Sequence, residues 1–181
     1  MPSRADSGAV LIGGRTTRLA RGAVRLKPPR GFAGRARVAE AEELLHDRRF
    51  FADFAEAPAA VQFSRRGVFR FPSPVVSPWG RNNTVHGRWF PAGEQWRERP
   101  AVVLLHGWNA EWGYRTLFPW LARRLNRAGL NAAMIELPYH SRRKPGRRPR
   151  EAPRNFLSGD VVHVVTAAHQ AIADARALVG W

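Results

Sequence analysis

The clearest pattern in the chain is a pair of short apolar runs separated by a helical repeat. Ala101–Leu105 is apolar at every position, as is typical of a central strand covered on both faces in a parallel sheet. The segment from Leu130 to Pro138 predicts a second buried strand. Between them, apolar residues recur at helical spacing: Leu117, Trp120, Leu121, Leu125 and Ala128. This order predicts a βαβ unit whose two strands are parallel. Pro119 suits the first turn of its helix and Gly129 suits the C-cap.

Two further helices are predicted on either side of this unit. One spans residues 39–57, just before Pro58. The other runs from about Ser158 to Val179, with Ser158 as its cap and Asp160 at the positive end of the helix dipole. One apolar stripe is expected to pack this second helix on the sheet: Val161, Val164, Val165, Ala168, Ile172, Ala175 and Leu178. The pattern places the remaining polar residues at its surface or margin: His163, His169, Gln170 and Asp174.

Residues 61–90 have a different character, with short β-prone pieces broken by glycine and proline. They predict two strands, paired antiparallel. The fold class predicted for the chain is therefore α/β, with a mostly parallel sheet that has antiparallel strands at its start.

The net charge of +16 is concentrated in two segments. Residues 1–38 carry nine basic residues and one acid, and residues 142–150 carry six basic residues and no acid. Residues 1–38 lack a sustained hydrophobic period, so we interpret them as a basic, disordered leader. A nucleic-acid-binding domain would spread basic residues over a folded face, often with stacking aromatics, so this distribution disfavours nucleic acid as a partner.

The composition excludes several kinds of site and indicates where the protein is expected to be located. Because there is no cysteine, disulfides, zinc–thiolate sites and a cysteine nucleophile are excluded. No stretch approaches the roughly 18 apolar residues that span a bilayer, so no membrane association is expected. The N-terminus has no continuous apolar segment typical of a signal peptide. A cytoplasmic location is the resulting expectation.

The loop after the first apolar run carries the candidate chemistry. Ligands of open α/β sheets bind beyond the C-terminal ends of the strands, where His106, Gly107, Trp108 and Asn109 lie. We expect Gly107 to permit a tight turn whose backbone N–H groups point into a cleft. Such donors stabilise negative charge on an oxygen during acyl transfer. The alternative is a strand-ending turn in which the backbone satisfies His106.

Together these segments resemble the N-terminal half of the α/β-hydrolase superfamily. The resemblance rests on "VVLLHGW", where His-Gly follows a buried strand, and on "ELPYH" at the end of the next strand. It looks like the branch with an "HGW" loop and an "LPYH" strand end, and it covers roughly residues 60–181. With the leader over residues 1–38, the resemblance implies an incomplete hydrolase domain over residues 39–181.

What the resemblance implies is serine-type hydrolysis of an ester, amide or thioester, with a small-molecule substrate and no cofactor. The oxyanion hole would lie at Gly107 and Trp108, with Trp108 giving one N–H donor and His106 and Asn109 supporting the loop. The nucleophile would follow on a G-x-S-x-G elbow, and the acid and histidine after it. This sequence contains no G-x-S-x-G. We therefore expect it to stop before the elbow strand, to be inactive alone and to aggregate through a bare, apolar strand edge.

Three further interpretations stay open. Tyr139 and His140 either line a substrate pocket or anchor their loop. His106 and His140 close the two parallel strands, so they are expected to approach each other. With Glu111 or Glu136 they still provide too few converging ligands to favour a metal site. The basic loop, residues 142–150, is expected to be solvated. If it lies at the same edge of the sheet as His-Gly, its arginines would favour anionic substrates: Arg142, Arg143, Arg147 and Arg148.

Two other functions remain as alternatives to the hydrolase. One is a non-catalytic interaction domain with a degenerate hydrolase fold. The other is an arginine-rich protein associated with nucleic acid, for which binding should show a steep salt dependence that is lost when the two basic segments are deleted.

Overall fold

A computed structural model describes residues 9–12, 15–18, 24–25, 34–52, 60–64, 66–107, 110–146 and 156–181 of the chain. Their largest element is a five-stranded sheet accompanied by helices. The fold is therefore of the α/β class, as predicted.

The sheet is built from five strands that do not follow chain order. Its members are β4 (Gln62–Phe63), β5 (Val68–Pro72), β7 (Thr84–Phe90), β8 (Ala101–Leu105) and β9 (Asn131–Ile135). Their spatial order is β4-β5-β7-β9-β8. β8 therefore lies at one edge of the described sheet, and along the chain it comes before β9, its only described neighbour.

The predicted βαβ unit is confirmed. β8 and β9 pair in parallel from Ala101 opposite Asn131 to Leu105 opposite Ile135. The helices between them are α2 (Glu111–Arg115) and α3 (Leu117–Arg127). Two predictions about α3 are confirmed as well, since Pro119 lies in its first turn and Gly129, with a φ of +79°, follows its last turn.

The prediction of a mostly parallel sheet is wrong for the described strands. Within the five-stranded sheet, β4–β5, β5–β7 and β7–β9 pair antiparallel, and β8–β9 is the one parallel pair. The cause is that a single helical crossover links strands of this sheet, and each crossover adds one parallel pair.

Four short strands lie outside this sheet. β1 (Ala9–Ile12) pairs antiparallel with β2 (Arg15–Arg18), and β3 (Val24–Arg25) pairs in parallel with β6 (Val75–Val76). The first three fall within the predicted leader. The rest of residues 1–33 lies outside the described residues, so the division of the chain at residue 38 stays a prediction.

The two predicted outer helices have different bounds from those expected. α1 runs over Gly34–His46 rather than residues 39–57. α4 runs over Val161–Gly180, and its N-cap is Asp160 rather than Ser158. The Asp160 carboxylate accepts hydrogen bonds from the backbone of Val162 and His163 at 3.1 and 3.4 Å. It also binds Arg37 of α1 at 2.6 Å, so one aspartate caps α4 and joins it to α1.

The core lies between one face of the sheet and the C-terminal part of α4. Ala177 and Leu178 of α4 pack with the following sheet residues: Phe69, Phe71, Val85, Ala133 and Ile135. Because side chains alternate along β9, Met134 lies on the opposite face. Met134 lines a cleft there together with Tyr114 of α2.

The orientation of α4 differs from the prediction. Its inner face carries small and polar residues, while Val161 and Ile172 of the predicted stripe are 37 and 39% exposed. Of that stripe, only Leu178 is buried. The other four residues of the stripe are half-buried, so the stripe lies between the buried and the exposed faces of the helix.

None of the described helices is both long enough and apolar enough to cross a membrane.

Candidate functional site

The candidate site lies where the parallel strands β8 and β9 end side by side. Leu105 and Ile135 are paired, so the loops that begin at His106 and Glu136 start next to each other. This is the edge of an α/β sheet at which ligands bind.

His106 bridges the two loops through both ring nitrogens. Its Nε2 accepts a hydrogen bond from the backbone N–H of Leu137 at 3.1 Å, and its Nδ1 lies 2.9 Å from the carbonyl oxygen of Gly107. Because an amide can only donate and a carbonyl can only accept, the ring is neutral, with its proton on Nδ1. Burial lowers the pKa of His106, which also favours the neutral ring. Because both ring nitrogens are hydrogen-bonded, His106 holds the two loops together and is not available as a base or a metal ligand.

The reason predicted for Gly107 is wrong. Its φ is not in the left-handed region, and a Cβ built on it would meet nothing within 4 Å among the described residues. Neither the φ of Gly107 nor its described surroundings therefore require glycine at this position. Trp108 and Asn109, the predicted oxyanion donor and loop support, lie outside the described residues, so their roles stay predictions.

Tyr139 is held in a strained backbone conformation beneath α4. Its φ is +61°, and Ser141, two residues on, has a φ of +44°. Non-glycine residues in this region cost roughly 1–3 kcal/mol and persist only where surrounding contacts hold them. The Asn82 side-chain oxygen accepts from the Tyr139 N–H at 3.0 Å, and the ring packs edge-on against His163 at 4.5 Å. Burial raises the pKa of Tyr139 to about 12. These are the contacts of a loop anchor.

His140 is the second histidine at the strand ends. Its ring lies edge-on to that of His106, with centroids 4.7 Å apart, so the predicted approach of the two residues is confirmed. Its Nδ1 donates to the carbonyl oxygen of Pro138 at 2.9 Å. Burial lowers the pKa of His140. Within the described part of the chain, no hydrogen bond occupies its Nε2.

Two glutamates hold the loop after β9 in place. The buried Glu136 carboxylate accepts from the backbone N–H of Arg142 at 3.1 Å and from its guanidinium at 2.8 Å. Glu111 of α2 accepts from the Ser141 N–H at 3.2 Å and from the Lys144 ammonium at 2.7 Å. The nearby Lys144 lowers the pKa of Glu111. Over the described residues, no three His, Asp or Glu side chains converge as a metal site.

A buried ionic network lies behind this loop and was missed by the sequence reasoning. Arg143 and Asp174 are both 0% exposed and are joined at 2.7 Å. Arg143 also donates to the backbone carbonyls of Asn82 and Glu136 at 2.7 and 2.9 Å. Burial raises the pKa of Asp174, and the Arg143 guanidinium opposes that shift. The network fixes the loop after β9 to α4 and to the turn at Asn82.

Hydrogen bonds from uncharged side chains complete this network. Ser73 donates to the second oxygen of Asp174 at 2.6 Å. Gln170 donates to Ser73 at 3.1 Å and accepts from the Asn82 amide at 2.6 Å. A buried charge pair is tolerated only when its remaining hydrogen-bonding groups are satisfied in this way.

Several surface predictions are therefore wrong. Asp174 and Gln170 are fully buried rather than marginal, and His163 and His169 are 3 and 1% exposed. Arg143 was predicted in a solvated loop but is fully buried, so it does not face a substrate. Arg147 and Arg148 lie outside the described residues. A signal for the buried face existed in the alanines at 167, 173 and 177, because small residues permit close helix packing.

In the described site His106 holds the loop after β8 in place, but no nucleophile is activated by a base. No hydrogen bond joins a described serine hydroxyl to His106 or His140, and the Ser73 hydroxyl is committed to Asp174. The arrangement can position backbone donors at the end of β8, and it can hold a charged loop beside them.

No family model matches this chain, and no curated protein is similar to it in sequence.

Proposed function

We propose that this chain forms the N-terminal half of an α/β hydrolase and supplies the oxyanion loop for serine-type hydrolysis of an ester, amide or thioester. In this proposal Gly107 and Trp108 form one side of the oxyanion hole. The nucleophile lies on a strand outside these residues, since they contain no G-x-S-x-G.

The observation that carries the proposal is the position of β8. This strand is apolar at every residue, as a central strand would be, yet it has a described partner on one side only. In the superfamily's strand order, the corresponding strand pairs on its other side with a later strand, the one that leads to the nucleophile. Both the position of β8 and its composition are accounted for if that strand completes the sheet.

The hydrogen bonds of His106 give additional support to the proposal. A neutral histidine that joins the end of β8 to Leu137 keeps the following loop at the edge of the sheet. An oxyanion hole requires donors that are held in place before the reaction, because reorganisation during the reaction would forfeit the stabilisation.

The test is hydrolysis of a short-chain nitrophenyl ester by two forms of the protein. One is the 181-residue chain and the other is the same chain extended along its own reading frame. The proposal predicts that the first form has no activity and does not react with a fluorophosphonate probe of activated serines. The extended form should be active and should be labelled on a serine in G-x-S-x-G.

Activity in the 181-residue chain would contradict the proposal. An extended frame that lacks the serine elbow would also contradict it and would favour the non-catalytic interaction domain.

A further inference from the structure

A cleft of about 520 Å³ lies between α2, β7 and the loop after β9. Its size falls in the range of roughly 300–1,000 Å³ that is common for small-ligand sites. Four basic side chains line it, from three different parts of the chain: Arg88, Arg115, Arg142 and Lys144. Tyr114 and Met134 form part of its wall.

The positive charge of the cleft is only partly balanced. Lys144 is paired with Glu111 at 2.7 Å and Arg142 with Glu136 at 2.8 Å. Arg88 and Arg115 make no ion pair with any carboxylate among the described residues. Two positive charges on the wall of one cleft are therefore left for an anion.

Tyr114 forms part of the wall through its ring. Its side chain is 5% exposed, and its hydroxyl is buried, with no hydrogen-bond partner among the described residues. A ligand in the cleft is therefore expected to contact the ring of Tyr114 rather than its hydroxyl.

We propose that this cleft binds a phosphate monoester, whose oxygens face Arg88 and Arg115. Two unmatched cations suit a phosphate, which carries about −1.5 to −2 charges at neutral pH, better than a monocarboxylate. Met134 and the Tyr114 ring offer an apolar wall for the organic part of the ligand. The site requires no nucleophile, so it goes beyond the proposed hydrolase function and does not depend on it.

Calorimetric titration of the full chain with phenyl phosphate at pH 7.5 and low salt tests the site. Arg88→Gln and Arg115→Gln should each weaken binding about tenfold or more, the magnitude of one lost charge-assisted hydrogen bond. Arg115 is exposed on α2, so its replacement should leave the fold intact. Arg123→Gln, an exposed change of the same charge outside the cleft, is the matched control and should leave affinity unchanged.

The ligand's charge gives a readout that substitution of single arginines does not. Benzoate, with one charge, should bind more weakly than phenyl phosphate.

Three results would overturn the proposal. They are no binding of phenyl phosphate at millimolar concentration, equal weakening by Arg123→Gln, or equal affinity for benzoate. None of them bears on the hydrolase proposal, which is judged by ester hydrolysis in the extended chain.

Discussion

β8 and β9 are neighbouring strands that are paired residue by residue, yet they occupy different environments. Every residue of β9 is buried, including Asn131, whose amide donates to the carbonyls of Trp96 and Arg99. β8 is apolar throughout, but Ala101 and Leu105 are exposed, Leu105 by 46%. The difference teaches that an apolar run predicts a strand but does not by itself predict how far the described residues bury it.

The same contrast divides α4. Its inner face, with Gln170 and Asp174, has its charges and amides satisfied. Its outer face presents Val161, Ile172 and Val179 to solvent. We call β9 and the inner face of α4 the closed side, and β8 and the outer face of α4 the open side. The predictions below separate the two sides by the free energy of unfolding.

The largest effect is expected from Asp174→Ala on the closed side. It leaves the Arg143 guanidinium buried without its counter-charge, which costs about 3–5 kcal/mol. Urea denaturation measures the loss. Asp47→Ala, at an exposed position after α1, is the matched control and should cost less than about 1 kcal/mol. A loss at Asp174 no larger than at Asp47 would contradict the buried ion pair.

The next effect compares two paired residues across the ladder. Ile135→Ala removes fully buried volume and should cost about 2–5 kcal/mol of unfolding free energy. Leu105→Ala, opposite it on β8, should cost less than about 1 kcal/mol because nearly half of that side chain is already exposed. Equal losses of unfolding free energy in urea denaturation would contradict the exposure of the Leu105 side chain.

A pH effect is expected from His169, on the inner face of α4. Burial lowers the pKa of His169 to about 4, below the value of about 6.5 in an unfolded chain. Between these values the unfolded chain binds a proton that the folded one does not, so stability is lost as pH falls from about 6.5 to 4. The loss attributable to this residue is at most about 3 kcal/mol.

His169→Gln should flatten that part of the pH profile of unfolding, whereas His46→Gln, at an exposed position in α1, should leave it unchanged. An unaltered profile in His169→Gln would refute the assignment. His86, whose pKa burial also lowers to about 4, would then be the source of the acid sensitivity.

The smallest effect on stability is expected on the open side. Leu105→Lys should change the unfolding free energy by less than about 0.5 kcal/mol. It should nevertheless reduce self-association, because a charge on an edge strand opposes pairing with another chain. Leu117→Lys, on the exposed surface of α3, should leave association unchanged. Sedimentation velocity distinguishes the two variants, and the idea fails if they behave alike.

The sequence was most informative where structure depends on neighbours along the chain. The parallel pair β8 and β9, the position of Pro119 and the ending of α3 at Gly129 all follow from local pattern and backbone chemistry. The approach of His106 to His140 follows from strand parallelism alone.

Sequence reasoning failed where a residue's environment depends on a distant partner. Asp174 is stable in the core because Arg143 lies against it, and nothing in the helical pattern identifies that arginine. The helical pattern predicts that the apolar stripe on α4 faces inward, because apolar residues are usually buried. Instead, the hydrogen bonds of Gln170 to Asn82 and Ser73 hold the polar face of the helix inward. Residues 147–155 lie outside the described residues, so the rest of the basic loop stays untested.

Amide hydrogen exchange along β8 tests the central claim, that β8 is an inner strand of the complete sheet. In the monomeric 181-residue chain, protection should alternate along β8, because only amides that face β9 are hydrogen-bonded, whereas β9 should be protected throughout. In the chain extended along its own reading frame, every β8 amide should become protected. Continued alternation in the extended chain, or uniform protection in the monomer, would contradict the claim.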